Sequence, residues 1–177
     1  MTFAQRIGFD ARYISDRYHG IGRYAFHLLE AMTAAAPDRT FVLFTGRQPD
    51  RRFDWEALHA RPNVEIHPGP WPLYRPQGQG VWPLLLRRHR IDLFHSPSFE
   101  APLLAPCPVI VTVHDLIFDR YPAYMPHRWA RPYYRLMMAL GARRARHIIT
   151  VSRATALELR HFYRVPPDKI AVVWPGI

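Results

Sequence analysis

The stretch VIVTVH, Val109–His114, is an unbroken run of β-branched residues that ends on a histidine. A run without alternating polar residues is typical of a strand buried on both faces, as in a parallel sheet. Six further short apolar runs fit the same description. The seven predicted strands are Arg6–Phe9, Thr40–Phe44, Asn63–His67, Ile91–His95, Val109–His114, His147–Val151 and Ile170–Trp174.

Longer stretches with helical periodicity separate most of these strands. The predicted helices are Gly20–Ala35, Trp55–Ala60, Gln79–Arg88, Pro126–Ala145 and Arg153–Tyr163. Parallel strands joined by helical crossovers form an open, doubly wound sheet. The sequence therefore predicts one α/β domain over residues 1–177, with a mainly parallel sheet of about seven strands and helices on both faces. The closing segment KIAVVWPGI, a strand running into a Pro-Gly turn, is typical of a domain followed by further chain.

Bulk composition narrows the class of protein. Hydrophobic residues make up 49% and charged residues 21%, which excludes intrinsic disorder. The net charge is +10, and Lys169 is the only lysine. Such an arginine excess marks either codon bias or binding to phosphate, anionic lipid or nucleic acid. No apolar run approaches the roughly 20 residues of a membrane span, so we expect a cytoplasmic protein. Cys107 is the only cysteine and is predicted to be a packing residue.

The segment Tyr18–Leu29, YHGIGRYAFHLL, contains the spacing G-x-G-x-x-A of a dinucleotide-binding loop. A nicotinamide or flavin site is disfavoured, because nine residues separate Asp10 from Gly20 and no acidic residue ends the second strand. Two interpretations of Gly20 and Gly22 remain open. They either cap the helix or open its N-terminus to an anion.

Helical spacing also predicts which residues of this first helix face the core. The expected core-facing residues are Ile21, Tyr24, Leu28, Ala31 and Ala35. In the helix Pro126–Ala145, one face is expected to hold Trp129, Tyr133, Leu136, Met137 and Leu140.

Six segments, taken together and in order, carry a family resemblance: IGFDAR, HGIGRYAFHLLEAM, IDLFHSPSF, VIVTVHDLIFDRYP, ARHIITVSRATALELRHFY and KIAVVWPGI. They resemble the N-terminal half of a GT-B-fold, retaining glycosyltransferase of family 4, with the mannosyltransferase-like branch of bacterial surface polysaccharide synthesis as the nearest type. The resemblance implies a Rossmann-like acceptor domain. It also implies a C-terminal domain, absent from this chain, that binds the nucleotide-sugar. No metal or other cofactor is expected, and the isolated domain is expected to be inactive.

The same resemblance implies roles for individual residues. Gly20 and Gly22 match a glycine loop that approaches the donor's diphosphate and sugar, and His19 stands where the family usually has a further glycine. The imidazole of His19 is therefore a candidate hydrogen-bond donor in the cleft. His114 matches a histidine that contacts the transferred sugar, so it is the predicted catalytic residue. A histidine that merely caps the strand is the competing interpretation.

Three other polar residues stand at the ends of predicted strands. Asp115 is expected to accept backbone N–H bonds, with a direct catalytic role as the alternative. His95 either lines the acceptor pocket or packs in the core. Ser152 is predicted to cap the helix that follows it. A hydrolase triad of Ser152, His114 and Asp115 is disfavoured because no G-x-S-x-G elbow surrounds the serine.

A basic stripe runs along the helix Pro126–Ala145, where Arg128, Arg131 and Arg135 recur at steps of three and four. One interpretation is a solvated face of a packed crossover helix. The other is a surface that docks on anionic lipid at the inner face of the cytoplasmic membrane, which suits a lipid-linked acceptor. Nucleic acid is not an expected partner, because no recognition module is present. A non-catalytic polyanion-binding module remains the alternative to a glycosyltransferase.

Overall fold

Seven parallel strands form one sheet in the computed structural model, which describes residues 5–15, 17, 19–47, 50–69, 73, 76–125 and 130–175, without the side chains of residues 19, 76 and 77. The strands are β1 (Arg6–Asp10), β2 (Thr40–Thr45), β3 (Val64–Pro68), β4 (Leu93–Ser96), β5 (Val109–Val113), β6 (His147–Thr150) and β7 (Ile170–Val172). Their order across the sheet is β3-β2-β1-β4-β5-β6-β7, and every neighbouring pair is parallel. The predicted fold class is therefore confirmed.

All seven predicted strands are present, and their ends differ from the prediction by at most two residues. The largest differences are at β4, which begins at Leu93 rather than Ile91, and at β7, which ends at Val172 rather than Trp174. Such shifts are common because the ladder frays where a strand leaves its neighbours. His114 accordingly lies one residue beyond β5.

Helices cover both faces of the sheet. They are α1 (His19–Ala35), α2 (Trp55–His59), α3 (Pro76–Arg88), α4 (Ile117–Arg120), α5 (Ala130–Arg144) and α6 (Arg153–Tyr163). The prediction for α6 was correct at both ends, whereas α3 begins three residues earlier than predicted. The short α4 was not predicted. Residues 126–129, which the sequence assigned to the start of α5, lie outside the described residues.

Two hydrophobic clusters lie on opposite faces of the sheet, because side chains alternate along each strand. On one face, Phe9 of β1 packs with Phe26 and Leu29 of α1 and with Leu58 of α2. We call this the α1 face. On the other, the cluster includes side chains of α3, α5 and α6 together with Phe94 of β4. We call this the α3/α5 face.

The predicted core-facing residues of α1 were correct only in part. Leu28 packs against the core and Tyr24 is half-buried, but the fully buried side of the helix lies one position away from the prediction. The residues that are buried are Gly22, Ala25, Phe26, Leu29 and Thr33, whereas Ala31 and Ala35 are exposed. Both sets have helical spacing, so periodicity alone does not separate them. The close approach of Gly22 to the chain after β1 selects the observed orientation, because a Cβ at Gly22 would lie 2.9 Å from the Ser15 carbonyl oxygen.

The predicted apolar face of α5 was correct at Met137, which is buried, and wrong at Leu136. Its buried residues are Tyr134, Met137, Met138, Gly141 and Ala142, whereas Leu136 is 56% exposed. Gly141 allows this close packing, since a Cβ there would lie 2.9 Å from the carbonyl oxygen of Phe99. Leu136 therefore belongs to the surface of the helix. Trp129 lies outside the described residues.

The order of strands reverses between β1 and β4. From β1 the chain runs outward to β2 and β3, and after α3 it returns to β4 and runs outward the other way to β7. In open α/β sheets, ligands bind in the crevice that this reversal leaves at the carboxyl ends of the strands. The carboxyl ends of β1, β4 and β5 are therefore where a site is expected.

Candidate active site

His114 lies at the carboxyl end of β5, and its ring is held from two sides. Its Nε2 lies 2.9 Å from the carbonyl oxygen of Pro97, which follows β4. A carbonyl can only accept a hydrogen bond, so Nε2 carries the proton and Nδ1 is left as the acceptor of the neutral ring. The ring of Tyr24 from α1 meets the His114 ring edge-on, with 4.9 Å between centroids. His114 thus joins β5, the segment after β4, and the first turns of α1.

Burial sets the protonation state of His114. It lowers the pKa of the imidazole, and it outweighs the hydrogen bond to Pro97 and the charge of Asp115, which act in the opposite direction. A neutral imidazole with a free acceptor nitrogen can accept a hydrogen bond from a hydroxyl group. The backbone of His114 is fixed as well, because Thr155 of α6 donates its hydroxyl to the His114 carbonyl at 3.0 Å.

His95 lies in the interior of the sheet, on the α1 face. It is 3% exposed, and its ring meets that of Phe9 edge-on. Its Nε2 lies 3.0 Å from the hydroxyl of Thr112. Burial, with a smaller effect of His114, lowers the pKa of His95 to about 4. Of the two sequence interpretations, these contacts match a packed and hydrogen-bonded histidine.

The two glycines of α1 differ in their surroundings. A Cβ at Gly22 would lie 2.9 Å and 3.0 Å from the carbonyl oxygens of Ser15 and Tyr13, so only glycine lets the helix approach the chain there. A Cβ at Gly20 would meet none of the described residues within 4 Å. Close packing therefore requires glycine at position 22, whereas Gly20 leaves open space at the N-terminus of the helix. Only the backbone of His19 is described, so the predicted role of its side chain stays a prediction.

Asp115 and Ser152 make the local hydrogen bonds expected of them. Asp115 accepts the backbone N–H of Ile117 through Oδ1 at 3.1 Å, which stabilises the turn into α4. Ser152 caps α6, because its hydroxyl accepts the N–H of Thr155 at 3.1 Å. Its predicted capping role is confirmed.

Beside this group, on the α3/α5 face, lies a buried ion pair that the sequence reasoning missed. Asp10, the last residue of β1, accepts two side-chain hydrogen bonds from Arg12, at 2.7 Å from Nε and 2.6 Å from Nη2. The two residues are 1% and 7% exposed, and the guanidinium lies 4.8 Å from the centroid of the Trp82 ring. Burial opposes the charge on Arg12, but the charge of Asp10 and its hydrogen bonds outweigh it and raise the pKa of Arg12.

Two more polar side chains of this edge are buried. Glu100 lies 6% exposed in the loop after β4, where Tyr133 of α5 donates to it at 3.4 Å. The hydroxyl of Ser96, at the end of β4, is buried without a hydrogen-bond partner among the described residues. A signal was present in the sequence, since IGFDAR and FHSPSFE place charged and hydroxyl residues directly after apolar strands.

The basic stripe lies on a different part of the chain. Arg131 and Arg135 of α5 are exposed, and Arg135 lies 3.7 Å from the carboxylate of Asp119. Arg128 lies outside the described residues. Among those described, no helix has the length and apolar character needed to cross a membrane.

A hollow of about 710 Å³ lies at the amino ends of β5, β6 and β7. Two of its basic side chains are engaged in hydrogen bonds: Arg144 donates to the carbonyls of Leu103, Ala105 and Cys107, and Lys169 donates to that of Arg143. These contacts anchor the loop before β5 and match a structural role. Cys107 is buried there, as predicted, and burial raises the pKa of its thiol to about 11. Within the described chain, no three side chains of metal-binding type are grouped as a metal site requires.

Comparison with known proteins places the fold in a family. The family model described as Glycosyltransferase Family 4 matches residues 18–177. The chain belongs to Glycosyltransferase Family 4. The resemblance to family 4 found in the sequence is thereby confirmed, whereas the retaining mechanism and the mannosyltransferase-like branch stay predictions. No relative was found among curated protein sequences.

Solved glycosyltransferase structures share the fold of this family 4 domain at low identity. HepE of Anabaena, in complex with UDP and glucose, is 16% identical with a TM-score of 0.62 over 99% of this chain and 45% of that one. A glycosyltransferase of Rickettsia africae is 13% identical with a TM-score of 0.62, over 99% and 44%. The wall teichoic acid polymerase TagF is 16% identical with a TM-score of 0.55, over 94% and 37%. The chain thus spans less than half the length of these structures.

Proposed function

We propose that this family 4 domain is the acceptor-side half of a retaining glycosyltransferase that uses a nucleotide-sugar donor. The observation that carries the proposal is His114, a neutral imidazole held by the Pro97 carbonyl at the carboxyl end of β5. The family membership and the position at the strand reversal support the same conclusion. The partner half, which would bind most of the donor, lies outside this chain.

The proposed chemistry assigns separate tasks to the described residues. The bond between the anomeric carbon and the diphosphate oxygen breaks, and the diphosphate leaves with the electron pair. The acceptor hydroxyl forms the new bond to the anomeric carbon, and its proton passes to the oxygen of the leaving diphosphate. Through Nδ1, His114 accepts a hydrogen bond from a hydroxyl of the transferred sugar. This bond orients the sugar ring and stabilises the positive charge that develops on that ring in the transition state.

The N-terminus of α1 is the proposed contact for the donor's diphosphate. Unpaired N–H groups and the helix dipole favour a negative charge there. The open space above Gly20 leaves room for the backbone to approach a phosphate oxygen. Asp115 stabilises the turn that follows His114 and takes no part in the chemistry.

We propose mannose from GDP-mannose as the transferred sugar, and a glycan or lipid-linked sugar as the acceptor, in surface polysaccharide synthesis. This choice is supported by the sequence resemblance alone. A panel of nucleotide-sugars, assayed with the full-length protein for release of nucleoside diphosphate and for a glycosylated acceptor, tests it. Transfer with retained anomeric configuration supports the proposal. Normal transfer by the isolated 177-residue chain would contradict the need for a second half.

A membrane surface is the proposed place of action, near an acceptor with a lipid anchor. Support comes from α5, where Arg131, Arg135 and the apolar Leu136 are all exposed. Sedimentation with vesicles of anionic phospholipid at low salt tests this, with vesicles of zwitterionic lipid as the control. Binding that is lost on changing both arginines to Gln supports the proposal, and equal binding to both vesicle types contradicts it.

A further inference from the structure

A chain of contacts connects the interior of the sheet to His114. The hydroxyl of Thr112, on β5, lies 3.0 Å from Nε2 of His95 and 3.4 Å from the hydroxyl of Tyr24. Thr112 is fully buried, and its contact with His95 is buried as well, whereas its contact with Tyr24 is half-buried. The ring of Tyr24 in turn lies against the ring of His114.

Thr112 also supports the hydrogen bond between His114 and the carbonyl of Pro97. His95 belongs to the same short segment as Pro97, whose carbonyl accepts the proton of His114 Nε2. Fixing His95 through Thr112 therefore fixes the segment that presents this carbonyl. The contacts form a closed ring that runs from Thr112 to Tyr24, His114, Pro97 and His95 and back to Thr112.

We propose that Thr112, with His95 and Tyr24, positions the imidazole of His114 and selects its Nε2–H tautomer. None of the three residues is assigned a contact with substrate, so they are positioning residues. Their catalytic meaning rests on the proposed function, whereas their effect on the His114 ring does not. The carbonyl that accepts from Nε2 selects the tautomer of His114, and the carbonyl together with the Tyr24 ring restricts the orientation of the imidazole.

Nitrogen-15 NMR of the histidine side chains in the 177-residue chain tests this directly. The chain has ten histidines, and the signals of His114 are identified by their loss in His114→Gln. In the unaltered chain we expect one Nε2–H tautomer and a pKa below that of a free imidazole. In Thr112→Val we expect the second tautomer to appear and the pKa to move toward the ordinary value. Thr112→Ser, which keeps the hydroxyl, is expected to restore the original spectrum.

A matched control is available on the neighbouring strand. Thr150 of β6 is also fully buried, and its hydroxyl has no hydrogen-bond partner among the described residues. Thr150→Val makes the same chemical change and is expected to leave the His114 signals unchanged. A well-folded Thr112→Val whose His114 tautomer and pKa equal those of the unaltered chain overturns the proposal.

Tyr24 provides a second test that does not alter the sheet. Tyr24→Leu removes the ring beside His114, and Tyr24→Phe removes only the hydroxyl. We expect the His114 spectrum to change more in the Leu variant than in the Phe variant. If Thr112→Val does not fold, an unchanged His114 tautomer in Tyr24→Leu overturns the proposal instead.

Kinetics of the full-length protein separate this proposal from the proposed function. We expect Thr112→Val to lower kcat roughly 10- to 100-fold with little change in KM, because a misplaced group loses alignment rather than binding. Absence of transfer by the unaltered protein would overturn the function and leave the NMR result standing. Altered NMR signals with unaltered kcat would overturn the catalytic part alone.

Discussion

The two sides of the carboxyl edge of the sheet use buried polar groups in different ways. On the α1 face, His95, Thr112 and Tyr24 form a neutral set of hydrogen bonds that leads to His114. On the α3/α5 face, Asp10 and Arg12 form a charged pair beneath Trp82. Neutral hydrogen-bonding groups can adjust the tautomer and the orientation of the His114 ring at a small cost in free energy. A buried charge pair is costly to disturb, so it fixes the backbone where β1 ends.

Breaking the charged side should have the largest effect on stability. Arg12→Met leaves the carboxylate of Asp10 buried without its partner, and we expect a loss of about 3–5 kcal/mol in the free energy of unfolding. Urea unfolding followed by circular dichroism measures it. The double variant Asp10→Leu, Arg12→Met removes both charges and should recover much of the loss. A single variant as stable as the unaltered chain would mean that the pair is not buried as described.

The neutral side should make the stability of the chain depend on pH through His95. The folded pKa of His95 is about 4, below its ordinary value of 6.5, so the unfolded chain binds a proton that the folded chain rejects. The stabilising contribution is complete above about pH 6.5 and is lost as the pH falls toward 4, at up to about 1.4 kcal/mol per pH unit.

Unfolding of the unaltered chain and of His95→Gln between pH 7 and pH 4.5 isolates this contribution. The glutamine amide can still reach the Thr112 hydroxyl but does not titrate. The unaltered chain should lose more stability on acidification than the variant. Equal pH dependence of the two proteins would place His95 in contact with water.

The smallest expected effect on stability concerns the close approach of α1 to the chain that follows β1. Gly22→Ala brings a Cβ against two backbone carbonyl oxygens, and we expect a loss of about 1–3 kcal/mol. Gly20→Ala is the matched control, because a Cβ there meets open space. It should be neutral or stabilising by up to about 1 kcal/mol, since alanine favours helix. Equal losses at both positions would contradict the different surroundings of the two glycines.

The sequence predicted the strands well, because the central ones are buried over most of their length. It predicted the orientations of the helices less well, because close packing there selects between residue patterns of the same helical spacing. The run Val109–Val113 and its counterparts predicted the sheet, because residues buried on both faces have little freedom in composition. The orientations of α1 and α5 were correct only in part, because Gly22 and Gly141 bring those helices close to the backbone and periodicity does not record such contacts.

The candidate site was predicted only in part, for a related reason. His114 was predicted from the family resemblance and from its place directly after an apolar strand, and its contact with substrate stays a prediction. The burial of Arg12 was not found, because charged residues are rarely buried unless paired, and the pairing with Asp10 is visible only in three dimensions. Similarly, the sequence does not distinguish Thr112 from the other β-branched residues of its strand, because the contacts of its hydroxyl are visible only in three dimensions.

Turnover of His114→Ala in the full-length protein is the most direct measurement of whether this edge of the sheet transfers sugar. His114 is the group proposed to contact the sugar, so kcat should fall by about 100-fold or more, as expected for loss of an oriented group in the transition state. Thr150→Val, a change elsewhere in the same sheet, should keep its turnover. A His114→Ala enzyme with unaltered kcat would contradict the assignment of the active site.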